Sequence, residues 1–517
     1  MRLLLGRTTT TTLAILLAVP SATSFTALPI SAKRARILTG GLQAKAASTG
    51  PSNLLTEGDT AIIISDLLKQ EEDILRNFEE ESTVLDIIQD VEGNPLSPQY
   101  LAKKMGIHTN DAQSYRCPEQ GGFRGLMSNG CRVQLLPGGQ TAFYKRIAFN
   151  ELGHCQEKLK TAPHKLKRDM KSYKVVADFL ASQARSDLQD KTGVIIPKCY
   201  DAKIRRNFAN PMKSKFSFLL EDLTPWDGWH QRWLLDDLEE CKAALSAYAK
   251  IHAFFWNGST FYDNKDAAQE LEAAVWKSGS YVQPEAQNWN QCKIVAEEWS
   301  KKRLRFKKEL SCFDYWDNLG ERLESVAEEC GHLAHPFADD TLSEQYKKYR
   351  TFTHGDPKQA NMFFRHGTTD SSGSEDIQVG LIDFQWSGFG LASTDIAHFL
   401  TSAVHADRLV DGGEDFLMRY YFDELQTHLV KFGAVETAGD ALKHFSYETF
   451  MDQYDTAVLD ICRLMIAYTW SRFDEPVEKD DAPACARTMN KTSYNKSIPN
   501  IVWLLGRCDE IMKSRGV

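Results

Sequence analysis

The sequence has few features of a disulfide scaffold, a zinc protein or an integral membrane protein. Its eleven cysteines include no Cys-x-x-Cys pair and no His/Cys spacing of a zinc site, so reduced thiols are expected. A membrane-spanning helix needs about 20 consecutive apolar residues. The apolar run near the amino terminus, "LAILLAV" (13–19), is far shorter, and no membrane-length run follows it. We therefore expect no integral membrane segment in the mature protein.

Acidic residues are absent from residues 1–56, which carry six Lys or Arg. The formal charge of −9 therefore becomes −15 for the chain from Glu57 onward. Because binding to phosphates needs clustered basic residues, this acidity argues against nucleic acid as a partner. It also favours a neutral or cationic small molecule, since an acidic protein repels anions at long range.

The amino terminus is typical of a targeting sequence. Residues 1–24 predict a signal peptide, with Arg2 and Arg7 ahead of the apolar run and the small residues "ATS" before Phe25. Residues 25–56 are basic, rich in small and hydroxyl residues, and similar to a transit peptide. This order, with Phe at the junction, resembles the bipartite presequence of algae with complex plastids. The sequence thus predicts a plastid location, with simple secretion as the alternative.

The hydrophobic pattern divides the rest of the chain. Residues 57–94 have apolar positions three and four apart and predict a helical extension. Residues 95–222 alternate in stretches such as "RVQLLPGGQTAFYKRI" and predict a small lobe with an antiparallel sheet and one helix. Residues 223–517 are mainly helical, apart from the short strands "NMFFR" and "IQVGLIDF". The expected fold class is α+β, with two lobes.

The stretch "HGDPKQAN" (354–361) lies between short apolar runs, and "LIDFQ" places Asp383 27 residues after Asp356. A simple turn could use almost any mixture of Gly, Pro, Asp and Asn. Phosphoryl transfer instead needs a carboxylate that deprotonates the acceptor and cations that neutralise the phosphoryl oxygens. Asp356 can be that base, and Asn361 and Asp383 offer the hard oxygen ligands that Mg2+ prefers.

Upstream residues supply further parts for binding ATP. Lys145 lies on a predicted strand, "AFYKRI", and offers a positive charge to the α and β phosphates. Asp169 lies on the following predicted helix. The backbone near Glu221 and Leu223, in "LLEDL", would offer hydrogen bonds to adenine. The sequence therefore predicts a site for ATP and Mg2+.

The stretches "FTHGDPKQANMFF" and "VGLIDFQWSGFGLASTDIAHFL" resemble the aminoglycoside phosphotransferase and choline kinase superfamily, most closely its ecdysteroid kinase-like branch. With "EDL" and "AKIHAFFW", the resemblance covers roughly residues 95–470. It implies a protein-kinase-like two-lobed fold, with a small antiparallel-sheet lobe and a large helical lobe that holds the catalytic loop. It also implies ATP-dependent phosphorylation of a hydroxyl, or an amine, of a small molecule.

The resemblance also implies roles for individual residues. Asp356 would be the catalytic base, and His354 is expected to organise the same loop. Asn361 and Asp383 would hold magnesium, and Lys145 would be the phosphate-binding lysine.

The sequence departs from the family pattern in two places. Asp169 takes the helix position of the lysine's usual glutamate partner and is one methylene shorter. "GGFRGLMSNG" is not a G-x-G-x-x-G loop, although Ser128 and neighbouring amides could still cover phosphates. Asp395 is either a helix cap or a buried acid that holds the catalytic loop. His252 and Trp256 are expected in the core.

Two other functions remain open at this point. A pseudokinase or ligand-binding protein of the same fold is favoured by the short acid at Asp169. A protein kinase is disfavoured because Gly355 stands where such enzymes commonly have arginine, and because few residues follow Asp383 before the next helix. The acceptor is not encoded in a readable motif, and we expect it to contact the helical insertions at 278–299 and 312–323.

Overall fold

The computed structural model describes residues 88–118, 123–124, 129–284, 286–369, 375–470 and 498–517. Four predicted features lie outside these residues: the signal peptide (1–24), the transit-like segment (25–56), most of the helical extension (57–87) and Ser128. The end of that extension, 88–94, is a turn closed by a bridge between Gln89 and Pro95, and not a helix. Gly93, with φ of +93°, provides this reversal of the chain. None of the helices in the described ranges is long and apolar enough to cross a membrane.

The small lobe is built from six strands and four helices of the described residues, whereas helices dominate the large lobe. The small lobe contains α1 (Pro98–Met105), β1 (Ala112–Arg116), β2 (Phe123–Arg124), β3 (Asn129–Pro137), β4 (Thr141–Ala148), α2 (Gly153–Thr161), α3 (Pro163–Ala181), α4 (Gln183–Thr192), β5 (Cys199–Arg205) and β6 (Lys215–Leu220). The large lobe contains α5 (Leu238–Phe254), α6 (Lys265–Ala274), α7 (Val295–Lys302), α8 (Lys307–Leu310), α9 (Leu319–Ala334), α10 (Asp340–Tyr346), β7 (Thr351–Thr353), β8 (Met362–Thr369), β9 (Glu375–Leu381), β10 (Gly388–Gly390), α11 (Ala392–Ala403), α12 (Gly413–Lys431), α13 (Ala438–His444), α14 (Tyr447–Ala467) and α15 (Ile498–Ser514). The protein has the two-lobed kinase-like fold that the sequence predicts.

The sheet of the small lobe is antiparallel, with strand order β1-β3-β4-β6-β5 and with β2 beside β3. Its interior strand β6 is buried on both faces, because successive side chains point to opposite sides of a sheet. Phe216 and Phe218 pack toward α3, where the rings of Phe216 and Tyr173 are 4.9 Å apart. Leu219 packs on the opposite face in a cluster that includes Tyr144. The sheet thus holds β4, and with it Lys145, against α3.

The connection between β4 and β5 contains three helices, where a single helix is expected. Two local signals divide the helical pattern. Pro163 begins α3, because proline favours the first turn of a helix and lacks the N–H that would continue the preceding one. The Ser182 hydroxyl accepts from the Arg185 amide at 3.3 Å and caps the start of α4.

Two small antiparallel sheets in the large lobe position the predicted catalytic residues. In the β8–β9 hairpin, Met362 lies opposite Leu381, and beyond this pair the Ile382 amide donates to the Asn361 carbonyl at 3.0 Å. The strands on either side of this hairpin in the chain, β7 and β10, pair with each other. The loop before β8 and the loop after β9 therefore meet at the open end of the β8–β9 hairpin.

A buried ion-pair network joins the linker after β6 to this region. Glu240, at the start of α5, accepts from His230 Nε2 at 2.8 Å, from His366 Nε2 at 3.0 Å, and from two nitrogens of Arg232 at 2.7 and 2.9 Å. Burial by itself raises the pKa of Glu240, but the three donors outweigh burial and lower it to about 2. Two histidines and a carboxylate could form a metal site. Because the Arg232 guanidinium occupies both carboxylate oxygens, we interpret the cluster as a structural link.

We expect Glu240→Gln to lower the free energy of unfolding near neutral pH. We also expect that free energy to change less as the pH falls than it does in the wild type. The pKa of Glu240 is lower in the folded protein, about 2, than its usual value of 4.5. Its stabilisation is therefore complete above pH 4.5 and is lost as the pH falls toward 2, and it amounts to roughly 3 kcal/mol. Denaturant unfolding between pH 7 and 3 measures the effect. Glu239→Gln, at the exposed neighbour, is the control, and an equal pH dependence in both variants would contradict the prediction.

Candidate active site

The histidine of the catalytic loop is a structural residue in this geometry. His354 is fully buried, and its Nε2 donates to the Ile382 carbonyl at 2.9 Å. Its Nδ1 accepts from the Asp356 amide at 3.3 Å. Burial lowers the pKa of His354, so the imidazole is neutral and both ring nitrogens are engaged with backbone. His354, which the sequence placed in the catalytic loop, therefore orders the backbone of that loop through both ring nitrogens.

Asp356 is buried and ionised. Its Oδ2 accepts from Lys358 Nζ at 2.8 Å, and its Oδ1 lies 3.8 Å from His398 Nε2. Burial alone raises the pKa of Asp356, but the charge and hydrogen bond of Lys358, together with the neighbouring histidines, outweigh burial and hold the pKa below its usual range. Burial lowers the pKa of His398 to about 4, so at neutral pH this histidine is uncharged and Lys358 supplies the positive charge. Asp356 is thus available as a proton acceptor.

Lys358 and His398 were not singled out by the sequence reasoning. Lys358 lies two residues after Asp356 in the quoted loop, so the sequence alone could have indicated that it lies near the predicted base. Burial lowers the pKa of Lys358, but the Asp356 and Asp383 carboxylates raise it above its usual value. The lysine therefore stays protonated between the two acids. His398 comes from α11, and only the tertiary structure brings it to Asp356.

Asn361, Asp383 and Lys145 lie together beside this base. The Asn361 amide nitrogen donates to the Asp356 carbonyl at 2.8 Å and to Asp356 Oδ2 at 3.3 Å. Asp383 has left-handed backbone angles, φ +65° and ψ +55°, and its Oδ1 lies 3.4 Å from Lys145 Nζ. Among the described residues the Asn361 amide oxygen has no hydrogen-bond donor, so an amide oxygen and a carboxylate are available. Such hard oxygen donors fit Mg2+.

Asp169 does not pair with Lys145, which resolves the first departure from the family pattern. Its carboxylate accepts from Lys158 Nζ at 2.9 Å and from Arg168 Nη2 at 3.0 Å. The side chain is short, and these two cations on α2 and α3 lie within its reach. Lys145 instead faces Asp383.

The linker after β6, where the sequence predicts adenine binding, leaves two backbone groups available for hydrogen bonds. Glu221 is anchored through its amide, which donates to the Lys198 carbonyl at 2.8 Å, and Asp222 pairs with Arg132. Burial raises the pKa of Asp222, against the opposing effect of Arg132. Within the described ranges, neither the Glu221 carbonyl nor the amide of the buried Leu223 has a protein hydrogen-bond partner. These two backbone groups can accept from and donate to adenine.

Asp395 holds the backbone of the catalytic loop. Its Oδ2 accepts from the His354 amide at 2.7 Å, and its Oδ1 accepts from the Gly355 amide at 2.9 Å. His252 Nε2 lies 3.3 Å from Oδ2. The pKa of Asp395 is raised by burial and lowered more strongly by these hydrogen bonds, so it lies below its usual range. Because α11 begins at Ala392, Asp395 lies inside the helix and is the buried acid, not the N-cap residue.

Glycine is required at position 355. Gly355 has φ of +79°, and a Cβ there would lie 2.2 Å from the Trp386 carbonyl oxygen. The arginine found at this position in protein kinases would not fit. His252 and Trp256 are both fully buried, which agrees with their expected place in the core.

We expect Asp395→Ala to destabilise the protein by about 3 kcal/mol and to abolish any activity, because it leaves buried backbone donors without an acceptor. Thermal unfolding and nucleotide-binding measurements test this. The matched control is Ser393→Ala on the same helix, where the buried hydroxyl has no partner among the described residues. Equal stability of the two variants would contradict the role of Asp395.

One of the two predicted acceptor regions reaches the catalytic loop. The Tyr281 amide donates to the Gly355 carbonyl at 2.7 Å, and the Trp276 amide donates to the Ser387 carbonyl at 3.0 Å. The segment that includes residues 278–299 therefore begins directly against the loop. The second region, 312–323, packs elsewhere in the large lobe, where it contacts α7 and α15.

The model of the ecdysteroid kinase-like family matches residues 156–434. None of the curated proteins matches the sequence. A Plasmodium vivax ethanolamine kinase structure is 12% identical, with 90% of this chain and 98% of that chain covered at a TM-score of 0.36. The amicoumacin kinase hAmiN, in complex with AMP-PNP, Ca2+ and Ami, is 12% identical, with 77% and 89% covered at a TM-score of 0.36. Since the family model spans more than half of its length, this chain belongs to the ecdysteroid kinase-like family.

Proposed function

We propose that the protein transfers the γ-phosphoryl group of ATP to a hydroxyl group, or an amine, of a small molecule. One observation carries this proposal: the buried, ionised Asp356 lies beside Asn361, Asp383 and Lys145 at the open end of the β8–β9 hairpin. A kinase needs a base, oxygen ligands for a divalent cation and a cation for phosphates at one place. The family membership supports the same reaction class.

The residues divide the reaction between them. Asp356 takes the proton of the acceptor hydroxyl as its oxygen bonds to the γ-phosphorus, and the bond to the β-phosphate oxygen breaks to release ADP. Asn361 and Asp383 would hold Mg2+, which supplies positive charge for the phosphate oxygens. Lys145 offers a further charge, and Lys358 keeps Asp356 ionised and oriented. The Glu221 and Leu223 backbone would hold adenine.

A pseudokinase of the same fold is the second candidate. The pairing of Asp169 with Lys158 and Arg168 favours it, because Lys145 then lacks its usual acidic partner on the helix. The arrangement of Asp356, Asn361 and Asp383 at one site instead favours an active enzyme. A protein kinase is less well supported, because Gly355 leaves no room for arginine and because α11 begins nine residues after Asp383.

The test is mass spectrometry of reactions that contain the mature protein and MgATP, offered either a metabolite pool or a protein extract. We expect a phosphorylated small molecule, without prior phosphorylation of the enzyme. New phosphopeptides without a phosphorylated metabolite would indicate a protein kinase. Bound MgATP without either product would indicate the pseudokinase.

We also propose a plastid location, on the basis of the bipartite pattern in residues 1–56. A fluorescent reporter fused to these residues is expected to enter the plastid of a complex-plastid alga. Changing Phe25 to Ala should stop the reporter in the compartment just outside. A reporter that carries residues 1–24 alone is the control and should be secreted. Secretion of the full fusion would contradict the proposal.

A further inference from the structure

One face of α3 carries three basic residues, at intervals of three, so that they are neighbours on the helix surface. Each lies over an aromatic ring of the large lobe. The pairs are Lys165 with Tyr468 (Nζ to ring centre 4.7 Å), Arg168 with Trp386 (Cζ to ring centre 5.1 Å) and Lys171 with Trp276 (Nζ to ring centre 4.1 Å). We call these six side chains the cationic face. Such contacts hold a cation in place but do not neutralise its charge.

Positive charge exceeds negative charge on the cationic face. Lys165 and Lys171 form no ion pair with any described residue. Asp169 is the acid on this part of α3, and it is already shared between Lys158 and Arg168. Burial lowers the pKa of Lys165 and of Lys171, and for Lys165 it outweighs the more distant attraction of Asp169, so neither ammonium group has a carboxylate near enough to offset its loss of water. An anion would supply what this surface lacks.

The cationic face is continuous with the catalytic loop. Trp386 lies three residues after Asp383, and its ring centre is 5.3 Å from that of Tyr281. Tyr281 in turn donates its amide to the Gly355 carbonyl at 2.7 Å and lies close enough to Lys358 to affect its pKa. A small molecule that contacts both the cationic face and Asp356 would therefore lie along the Trp386 and Tyr281 rings.

We propose that the cationic face binds an anionic group of the acceptor, so that the substrate is a small hydroxylated molecule with a carboxylate, phosphate or sulfate. This inference rests on the proposed function. It reverses the expectation drawn from the net charge of −15, because charges beyond about 8 Å are screened at physiological salt, whereas the nearby ammonium groups of Lys165 and Lys171, which form no ion pair with a described residue, act directly. The aromatic rings would border the uncharged part of the acceptor.

The experiment compares Lys165→Gln/Lys171→Gln with a control of equal charge, Lys160→Gln/Lys167→Gln, whose residues are exposed elsewhere on α2 and α3. A metabolite extract is separated into anionic, neutral and cationic fractions, and each is incubated with γ-labelled ATP. We expect labelled product from the anionic fraction. For that acceptor, we expect KM to rise at least tenfold in the first variant, with kcat and MgATP affinity unchanged. Phosphatase treatment of the fraction before the assay distinguishes phosphate-bearing from carboxylate-bearing acceptors.

A second measurement is independent of turnover. Inorganic phosphate and malonate are titrated calorimetrically against protein whose nucleotide site is filled with AMP-PNP and Mg2+, at constant ionic strength. We expect saturable binding of at least one anion to the wild type and the control, and none to Lys165→Gln/Lys171→Gln. Product only from neutral or cationic fractions, or an unchanged KM, would overturn the anionic site while the kinase function stands. No product from any fraction would contradict the function, and equal anion binding by all three proteins would overturn the site.

Discussion

Replacing Asp356 with Asn is expected to lower kcat about 10³-fold and to leave the affinity for MgATP nearly unchanged. Asparagine keeps the shape of the side chain but cannot take a proton from the acceptor. In the proposed site other residues would make the nucleotide contacts, so binding should persist. Steady-state kinetics and calorimetry with MgATP give the two quantities separately.

The Asp356→Asn result needs two controls. Thermal unfolding checks the fold, because Lys358 loses a charged partner in the variant. Asp407→Asn removes a carboxylate from an exposed position outside the site and should retain full activity. An active Asp356→Asn enzyme would show that another group acts as the base.

Replacing Asp383 with Ala is expected to weaken MgATP binding by about 10- to 100-fold, because a divalent cation loses a carboxylate ligand. Lys145 also loses the carboxylate that lies 3.4 Å from it. Asn361→Ala should act in the same direction through the loss of an amide ligand. Calorimetric titration with ATP at several Mg2+ concentrations measures the effect.

The dependence on Mg2+ separates metal binding from a general loss of nucleotide affinity. Wild-type affinity should rise with Mg2+, whereas the affinity of Asp383→Ala should change little. Lys145→Met is the comparison, since it removes a phosphate contact without removing a metal ligand. Unchanged Mg2+ dependence in both Asp383→Ala and Asn361→Ala would place the metal site elsewhere.

Local sequence signals were sufficient for several strands of the fold. The strand at 215–220, the hairpin around Pro137 and the two strands that flank the polar loop after Arg365 all follow from period-two patterns and turn residues. The small lobe was harder, because a continuous helical pattern does not reveal where one helix stops. The breaks at Pro163 and Ser182 depend on single residues whose capping role competes with the surrounding helical preference.

The residue types of the candidate site could be predicted from the sequence for a different reason. The spacing from Asp356 to Asn361 is set within one loop, so the sequence alone indicates that these side chains share a place. Asp383 could be added because it follows a strand that pairs with the preceding one in the chain. Pairing between neighbouring strands is the kind of long-range contact that a sequence pattern can predict.

Ion pairs and hydrogen bonds that depend on tertiary packing could not be predicted in this way. Asp169 was expected near Lys145, yet Lys158 and Arg168 lie closer and take its carboxylate. Asp395 could have been a helix cap, and only the approach of α11 to the catalytic loop shows that it holds the loop backbone.

The order of the motifs, the α+β class and the residue types of a phosphotransferase site follow from the sequence, because each depends on neighbours in the chain. The ion pairs and the charge around the site do not. The sequence shows an acidic protein, but the folded chain brings the basic residues of α3 against the rings of the large lobe, next to the catalytic loop. Electrostatic interactions depend on distance in space and fall off steeply in salt water, so the tertiary arrangement decides which charges the acceptor meets.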